Sequence, residues 1–193
     1  MQLTTPFQIY IMYYDNLRGI LPLLIVPDES VKQNNKAMKP IYYHPIWTLS
    51  NKDESESEYI NLIYRGNIYI AKKYSFTIEK MGNKTLYVQP GFNKIVSILV
   101  LPKELNYFRK ICLKLTLEDT IREFKPFFHK IICSEILKQD LIKIPRNKSI
   151  IREGEIVKEN IRNILKNIFL DQKQKLEYRK TKDRNLKQIE ILI

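Results

Sequence analysis

One apolar run, and the proline that follows it, constrain the fold most. Residues 95–101 read Ile-Val-Ser-Ile-Leu-Val-Leu, which is typical of a strand buried on both faces of a sheet. At Pro102 the apolar residues change to helical spacing, and proline fits the first turn of a helix. The sequence therefore predicts a β-rich first hundred residues, with a last central strand over 93–101, and a helical second half.

Two hairpins are expected before that strand. The first joins apolar runs at residues 7–14 and 20–26 through a short segment containing Asp, Asn and Gly. Pro22 lacks a main-chain donor near the start of the second run, so it favours a strand at the edge of the sheet. These two strands are the first pair of the predicted sheet.

The second hairpin joins residues 59–64 and 68–76 through Arg65-Gly66-Asn67. Gly and Asn tolerate the positive φ that a tight turn requires. Residues 80–84 are predicted to form a further turn or loop. Together with the run at 93–101, the hairpins predict one antiparallel sheet of about five strands.

The connection between the two hairpins is less regular. Asp28-Glu29-Ser30 can cap a short helix over residues 31–38, and we expect Pro40 to end it. Residues 41–49 are apolar and aromatic and are predicted to pack as an extended segment. Residues 51–58 are predicted to form a solvated acidic loop.

Three helical stretches are predicted after residue 102. The first begins at residue 103 and extends to about 115, and the second covers 117–141, with Pro126 expected to kink or divide it. Pro145 and Asn147 indicate a break. From residue 151 to about 180, apolar residues recur at steps of three and four: Ile156, Val157, Ile161, Ile164, Leu165 and Ile168.

These elements predict an α+β fold, in which an antiparallel sheet of about five strands is flanked by helices. We expect one domain over residues 1–140 and a basic helical extension over residues 141–193. The sequence has no apolar run of membrane-spanning length and no signal-like opening. We therefore expect a cytoplasmic protein and leave open a peripheral contact between its tail and a membrane.

The charge is concentrated in the second half. The net charge is +12, and counting along the sequence assigns +3 to residues 1–100 and +9 to residues 101–193. A basic run, Lys143, Arg146, Lys148 and Arg152, is a candidate anion-binding site. Because the tail also contains acidic residues, a helix that binds a protein partner is favoured over a dedicated nucleic-acid arm.

Residues suited to catalysis or metal binding are few. Cys112 and Cys133 lie in apolar stretches, which indicates buried free thiols. His44 and His129 are the only histidines, and their spacing from the cysteines fits no common zinc module. The sequence has no Gly-rich phosphate loop and no nucleophile motif. We therefore expect a protein that is not an enzyme and binds no cofactor or metal.

The order of these elements resembles that of longin domains, in particular longin-like proteins of archaea with eukaryote-like trafficking genes. The resemblance rests on the opening Ile9-Tyr10-Ile11-Met12-Tyr13-Tyr14-Asp15 with Gly19-Ile20-Leu21-Pro22. It rests equally on the step from strand to helix at Ile98-Leu99-Val100-Leu101-Pro102-Lys103-Glu104-Leu105. It covers residues 5 to about 140, with 28–58 departing from the pattern, because a longin helix in that place is long and amphipathic.

The resemblance implies a scaffold that pairs through sheet edges or helices and serves small GTPases and vesicle-trafficking or tethering complexes. The expected function is therefore a non-catalytic, dimeric or complex-forming interaction module. Its candidate partner-binding residues lie on the last helix: Ile156, Ile161, Ile164, Leu165 and Ile168. The alternative is a basic nucleic-acid-binding protein that uses the C-terminal helices.

Overall fold

Five strands build the centre of the fold: β1 (Gln8–Asp15), β2 (Gly19–Val26), β3 (Ile60–Tyr64), β4 (Asn67–Ile78) and β5 (Gly91–Pro102). The helices are α1 (Asn35–Ser50), α2 (Tyr107–Phe124), α3 (Phe128–Gln139) and α4, the helical residues 147–167. Short 3-10 turns cover Glu29–Gln33 and Lys125–Phe127. The structure is a computed structural model that describes residues 7–15, 18–50, 59–78, 91–103, 105, 107–139 and 147–167.

The strands form one antiparallel sheet in the order β2-β1-β5-β4-β3. This confirms the predicted five-stranded antiparallel sheet and the central position of the last strand. The β5 side chains are buried on both faces of the sheet, as the apolar run predicted. β2 is an outer strand, as Pro22 indicated, and a bulge at Leu23 shifts its pairing with β1.

Both predicted hairpins are confirmed. β1 pairs with β2, and β3 pairs with β4 from Ile60 opposite Ala71 to Tyr64 opposite Asn67. Arg65 and Gly66 form the second turn with φ values of 49° and 76°, which fits a two-residue hairpin loop with positive φ at both positions. Asn67, which the sequence placed in the turn, is the first residue of β4.

The region after β2 corrects the sequence prediction. α1 runs through Pro40 and Pro45, so the predicted end at Pro40 and the extended segment over 41–49 are wrong. The side chain of Asn34 accepts a hydrogen bond from the Ala37 N–H at 3.2 Å, and Met38 and Ile41 are fully buried against the sheet. Burial of these side chains outweighs the donor lost at each proline.

The helices after β5 are divided differently from the prediction. α2 is continuous from Tyr107 to Phe124, so the predicted division near residue 115 is wrong, whereas a division at Pro126 is confirmed by the 3-10 turn between α2 and α3. Leu113, Leu117 and Ile121 form the buried face of α2. No helix in the described ranges is both long enough and apolar enough to span a bilayer.

The sheet has a core on each face. On one face, Met38 and Ile41 of α1 pack on side chains of β1, β4 and β5. On the other face, α2, α3 and α4 pack on the sheet, and Ile161 and Leu165 of α4 belong to that core. The helical part of the predicted extension at 141–193 therefore shares a core with residues of the predicted 1–140 domain.

Candidate interaction surface

β3 has a free side in the part of the chain that the structure describes. It is the last strand in the order of the sheet, and only β4 pairs with it there. The opposite edge strand, β2, is flanked by the 3-10 turn Glu29–Gln33 and by α3. Among the described strands, none but β4 bonds to the main chain of β3, and a strand with one unbonded side can be extended by another strand.

Three of the five side chains of β3 are apolar and exposed. Ile63 is 61% exposed, Leu62 43% and Tyr64 40%, and the strand contains no charged residue. Edge strands usually carry a charge, a proline or a bulge that prevents them from pairing with other chains. β3 has none of these protections in its five residues, and its surface has the composition of an interaction site.

The hairpin fixes which groups of β3 point outward. The two residues that close a two-residue loop exchange main-chain hydrogen bonds, and bonded and non-bonded pairs then alternate along an antiparallel ladder. Tyr64 closes this loop opposite Asn67, so the main-chain groups of Ile60, Leu62 and Tyr64 point toward β4. The N–H and C=O groups of Asn61 and Ile63 point to the open side.

A buried carboxylate holds the beginning of β3 against α2. The Tyr59 hydroxyl donates to Glu118 Oε2 at 2.6 Å, and Lys72 of β4 donates to Glu118 Oε1 at 2.8 Å. Arg122 adds a third contact to Glu118 at 2.7 Å, and the Lys114 ammonium lies 3.9 Å from the centre of the Tyr59 ring. These contacts fix the edge strand in place before any partner binds.

The contacts around Glu118 shift the pKa values of Glu118 and of Tyr59 in opposite directions. Burial raises the pKa of Glu118, but the hydrogen bonds from Lys72 and Tyr59 and the nearby charges lower it below its ordinary value overall. Burial and the hydrogen bond to the carboxylate raise the pKa of Tyr59 far above its ordinary value. At neutral pH, Glu118 is therefore a carboxylate and Tyr59 is its neutral donor.

α2 lies on the face of the sheet to which Asn61 and Ile63 of β3 point, whereas Leu62 and Tyr64 point to the face that α1 covers. The Lys103 N–H donates to the Gly66 carbonyl at 3.1 Å, and the Tyr59 hydroxyl lies 3.5 Å from the Lys114 carbonyl. These contacts place the segment before α2 beside the second hairpin turn, and α2 itself beside the residue that precedes β3. Tyr107 and Leu115 are exposed on α2, and Leu115 lies on the side of the helix opposite to the buried Leu117.

The predicted partner-binding residues of α4 are split between its two sides. Ile161 and Leu165 are buried in the protein's own core, whereas Ile156 and Ile164 are exposed. Ile168 lies outside the residues that the structure describes. A role for Ile156 and Ile164 in partner binding stays a prediction, and Ile161 and Leu165 instead attach α4 to the domain.

The predicted anion-binding residues are described only in part. Lys148 and Arg152 are exposed and lie one turn apart near the start of α4. Lys143 and Arg146 fall outside the described ranges. Anion binding by this run stays a prediction.

The contacts that hold α4 in place are the ones that the sequence reading missed. Lys158 is only 2% exposed, and its ammonium lies 2.8 Å from Glu135 Oε1 and 3.0 Å from Glu29 Oε1. Arg162 also contacts Glu29, at 2.5 Å. The position of Lys158 could have indicated its burial, because it lies three residues before Ile161 on the buried stripe of the helix.

A glycine allows α4 to approach α3 closely. A Cβ atom at Gly154 would lie 2.3 Å from the Ser134 Cβ and 2.5 Å from the Lys130 carbonyl oxygen. The Ser134 hydroxyl donates to the Ile151 carbonyl at 3.2 Å across the same contact. Gly154 is therefore required by the packing of the two helices, and its spacing of four residues before Lys158 places it on the buried stripe.

The cysteines and the possible metal ligands of the described residues lie apart from one another. Among them, no three His, Cys, Asp or Glu side chains come together as metal ligands would. Cys133 is a buried free thiol, as predicted, and burial raises its pKa to about 11. Cys112 is also free but only half-buried. The predicted loops at 51–58 and 80–84 and the side chain of His44 lie outside this description.

Comparisons with known proteins give no family for this chain. Its sequence matches no protein-family model and no curated protein.

Proposed function

We propose that the protein is a non-catalytic interaction scaffold that associates with other protein chains through the open edge of β3. The observation that carries this proposal is an edge strand of five residues with no charge, three exposed apolar side chains and a side that no other described strand pairs with. A strand of this kind can be extended by a strand of another chain, with main-chain hydrogen bonds supplying much of the affinity.

The order of the elements also supports an interaction scaffold. The described fold has a hairpin, a helical connection, a second hairpin, a central last strand and then helices, which is the order implied by the resemblance to longin domains. α1 has 16 residues, and this longer helix brings the connection closer to that pattern than the sequence suggested. On the basis of this resemblance, we propose small GTPases and vesicle-tethering complexes as partners.

Several basic groups of the helical half are engaged in ion pairs. Lys158 and Arg162 contact carboxylates within the domain, and Lys138 pairs with Glu135 and Glu155. These pairs reduce the charge that the helices offer to phosphates. Protein binding is therefore favoured over the alternative of nucleic-acid binding.

The test compares the wild type with an edge variant and a matched control. Leu62→Lys places a charge on the open edge, and Tyr14→Lys places one at a strand residue of similar exposure away from β3. Association is measured by size-exclusion chromatography with light scattering, for each protein alone and mixed with small GTPases from the same genome. We expect the wild type and Tyr14→Lys to associate with themselves or with a GTPase, and Leu62→Lys to associate with neither.

Two results would overturn the proposal. One is a wild type that associates with no protein under any of these conditions. The other is a Leu62→Lys variant that associates as strongly as the wild type. Retention on heparin, with a steep loss of DNA or RNA affinity as salt rises, would instead support the nucleic-acid alternative.

A further inference from the structure

We propose that a groove beside the second half of β4 binds a small sugar phosphate, whose phosphate group is held by Arg122, Lys125 and His129. The groove has a volume of about 480 Å³ and lies between the end of β4 and the corner at which α2 meets α3. None of the described residues that line it belongs to β3, so the inference does not depend on the proposed function.

The strand side of the groove presents main-chain groups. β3 pairs with β4 only as far as Ala71, whereas β5 pairs with β4 to Ile78, so one side of the second half of β4 has no partner among the described strands. Asn67 bonds to β3 at the hairpin, and the bonding direction alternates along the strand. The N–H and C=O groups of Ser75 and Thr77 therefore point away from β5, and both residues line the groove.

The helical side of the groove presents three basic side chains. Arg122, Lys125 and His129 are three and four residues apart, a spacing that brings side chains to one side of a helix, and all three line the groove. No acidic side chain is among the described residues that line it. Arg122 and Lys125 alone balance the charge of about −2 on a phosphate monoester.

Contacts within the protein hold two of these side chains in position. The Arg122 guanidinium lies 2.7 Å from Glu118, and because a guanidinium has several donors, this contact leaves others for an anion. Nδ1 of His129 donates to the Pro126 carbonyl at 2.8 Å, since a carbonyl can only accept. This hydrogen bond fixes the orientation of the imidazole ring and directs Nε2 away from the Pro126 carbonyl.

A buried hydroxyl provides a second, independent indication of a ligand. The Oγ atom of Ser75 is buried and has no hydrogen-bond partner among the described residues. A buried polar atom without a partner costs free energy. An oxygen of a ligand in this groove would supply the missing hydrogen bond.

The size and the lining of the groove indicate an ester rather than a free phosphate ion. A volume of about 480 Å³ is in the range of sites for small organic molecules, and a phosphate group fills only part of it. Phe76 and Pro126 add apolar surface, and the ring of Phe76 packs on Phe128 with the centroids 6.3 Å apart. The outward C=O groups of Ser75 and Thr77 can accept hydrogen bonds from the hydroxyl groups of a sugar.

A titration of the whole chain, followed by the amide signals in NMR spectra, tests the inference. Ribose 5-phosphate is the probe, and inorganic phosphate and ribose are its controls. We expect ribose 5-phosphate to shift the amide signals of Ser75, Thr77 and His129 and to leave those of β3 unchanged. We expect inorganic phosphate to bind at least about tenfold more weakly and ribose to shift none of these signals.

Variants of the groove assign the contacts. Lys125→Gln and His129→Gln are each expected to weaken the binding of ribose 5-phosphate about tenfold, because hydrogen bonds from charged donors are the stronger ones. Ser75→Ala is expected to weaken it about threefold. Lys39→Gln is the matched control, since it removes an exposed lysine of α1, on the other face of the sheet, and we expect it to bind like the wild type.

Four results would overturn the inference. The first is a wild type whose Ser75, Thr77 and His129 amides do not respond to ribose 5-phosphate. The second is equal weakening in Lys39→Gln and Lys125→Gln, because binding would then follow the overall charge. The third is equal affinity for inorganic phosphate, which overturns the sugar phosphate as ligand. The fourth is a short single-stranded RNA that shifts the same amides and binds at least about tenfold more tightly, which would assign the groove to a nucleic-acid surface.

Discussion

Replacing Gly154 by alanine is expected to loosen the attachment of α4. In an exposed helix, Gly→Ala stabilises by about 1 kcal/mol, because alanine has the higher helix propensity. At Gly154 the new Cβ would lie 2.3 Å from the Ser134 Cβ and 2.5 Å from the Lys130 carbonyl oxygen, whereas carbon atoms normally pack at about 3.5–4.0 Å. The second contact is with main chain, so no change of side-chain rotamer removes it.

The magnitude follows from the movement that relieves these contacts. α4 must move away from α3 by about 1 Å, which costs roughly 1–3 kcal/mol in a packed core. At the upper end of that range, the cost exceeds the gain in helix propensity. If α4 leaves its site entirely, the burial of Ile161 and Leu165 is also lost, at roughly 1.5–3 kcal/mol for each side chain. After the gain of about 1 kcal/mol in propensity, we therefore expect a net loss of up to about 2 kcal/mol in the free energy of unfolding if α4 only shifts, and of about 2–5 kcal/mol if it leaves its site.

Urea denaturation followed by circular dichroism measures this change. Asn160→Ala is the matched control, because it introduces the same residue on the exposed side of the same helix, and we expect it to change stability by less than about 0.5 kcal/mol. A Gly154→Ala protein that is more stable than the wild type, as at an exposed helix position, would refute the close packing of α3 and α4.

Three further predictions concern the charged contacts. Lys158→Met removes the cation shared by Glu29 and Glu135 and is expected to lower the free energy of unfolding by about 3 kcal/mol in chemical denaturation. This is the lower end for breaking a buried pair, because other cations still face both carboxylates. An unchanged denaturation midpoint would contradict the prediction. The lowered pKa of Glu118 means that its stabilising contribution is complete above its ordinary value of 4.5 and is lost as pH falls through the folded value. Glu118→Gln should therefore show a smaller loss of stability than the wild type between about pH 5 and pH 3, and equal slopes would show that the carboxylate does not contribute. Tyr59→Phe removes the donor to Glu118 and should lower the free energy of unfolding by about 1–2 kcal/mol. Amide exchange in β4 should stay as slow as in the wild type. Faster exchange in β4 would mean that Tyr59 supports more than the edge strand.

Local patterns in the sequence predicted the elements whose neighbours are close along the chain. The hairpins follow from alternating apolar runs around turn residues, and β5 follows from an apolar run of strand length. α4 follows from apolar residues at helical spacing. In these cases the residues that decide the structure lie within a few positions of one another, so the sequence displays them directly.

Contacts between distant residues decided the features that the sequence did not show. α1 continues past Pro40 because Met38 and Ile41 pack on strands from other parts of the chain, and this burial outweighs the local preference. Lys158 is buried because Glu135 and Glu29 meet it from two other elements. The open side of β3 depends on the order of the strands, which no local pattern contains, although the lack of charge in β3 was visible.

Amide hydrogen exchange at β3 tests the central claim most directly. The N–H groups of Asn61 and Ile63 point to the open side of the sheet, whereas those of Leu62 and Tyr64 are bonded to β4. If a second strand pairs with this edge, the Asn61 and Ile63 amides are protected, and their protection increases with protein concentration. If both amides exchange at the rate of unprotected amides at every concentration, for the protein alone and mixed with small GTPases, while Leu62 and Tyr64 stay protected, no other chain pairs with β3.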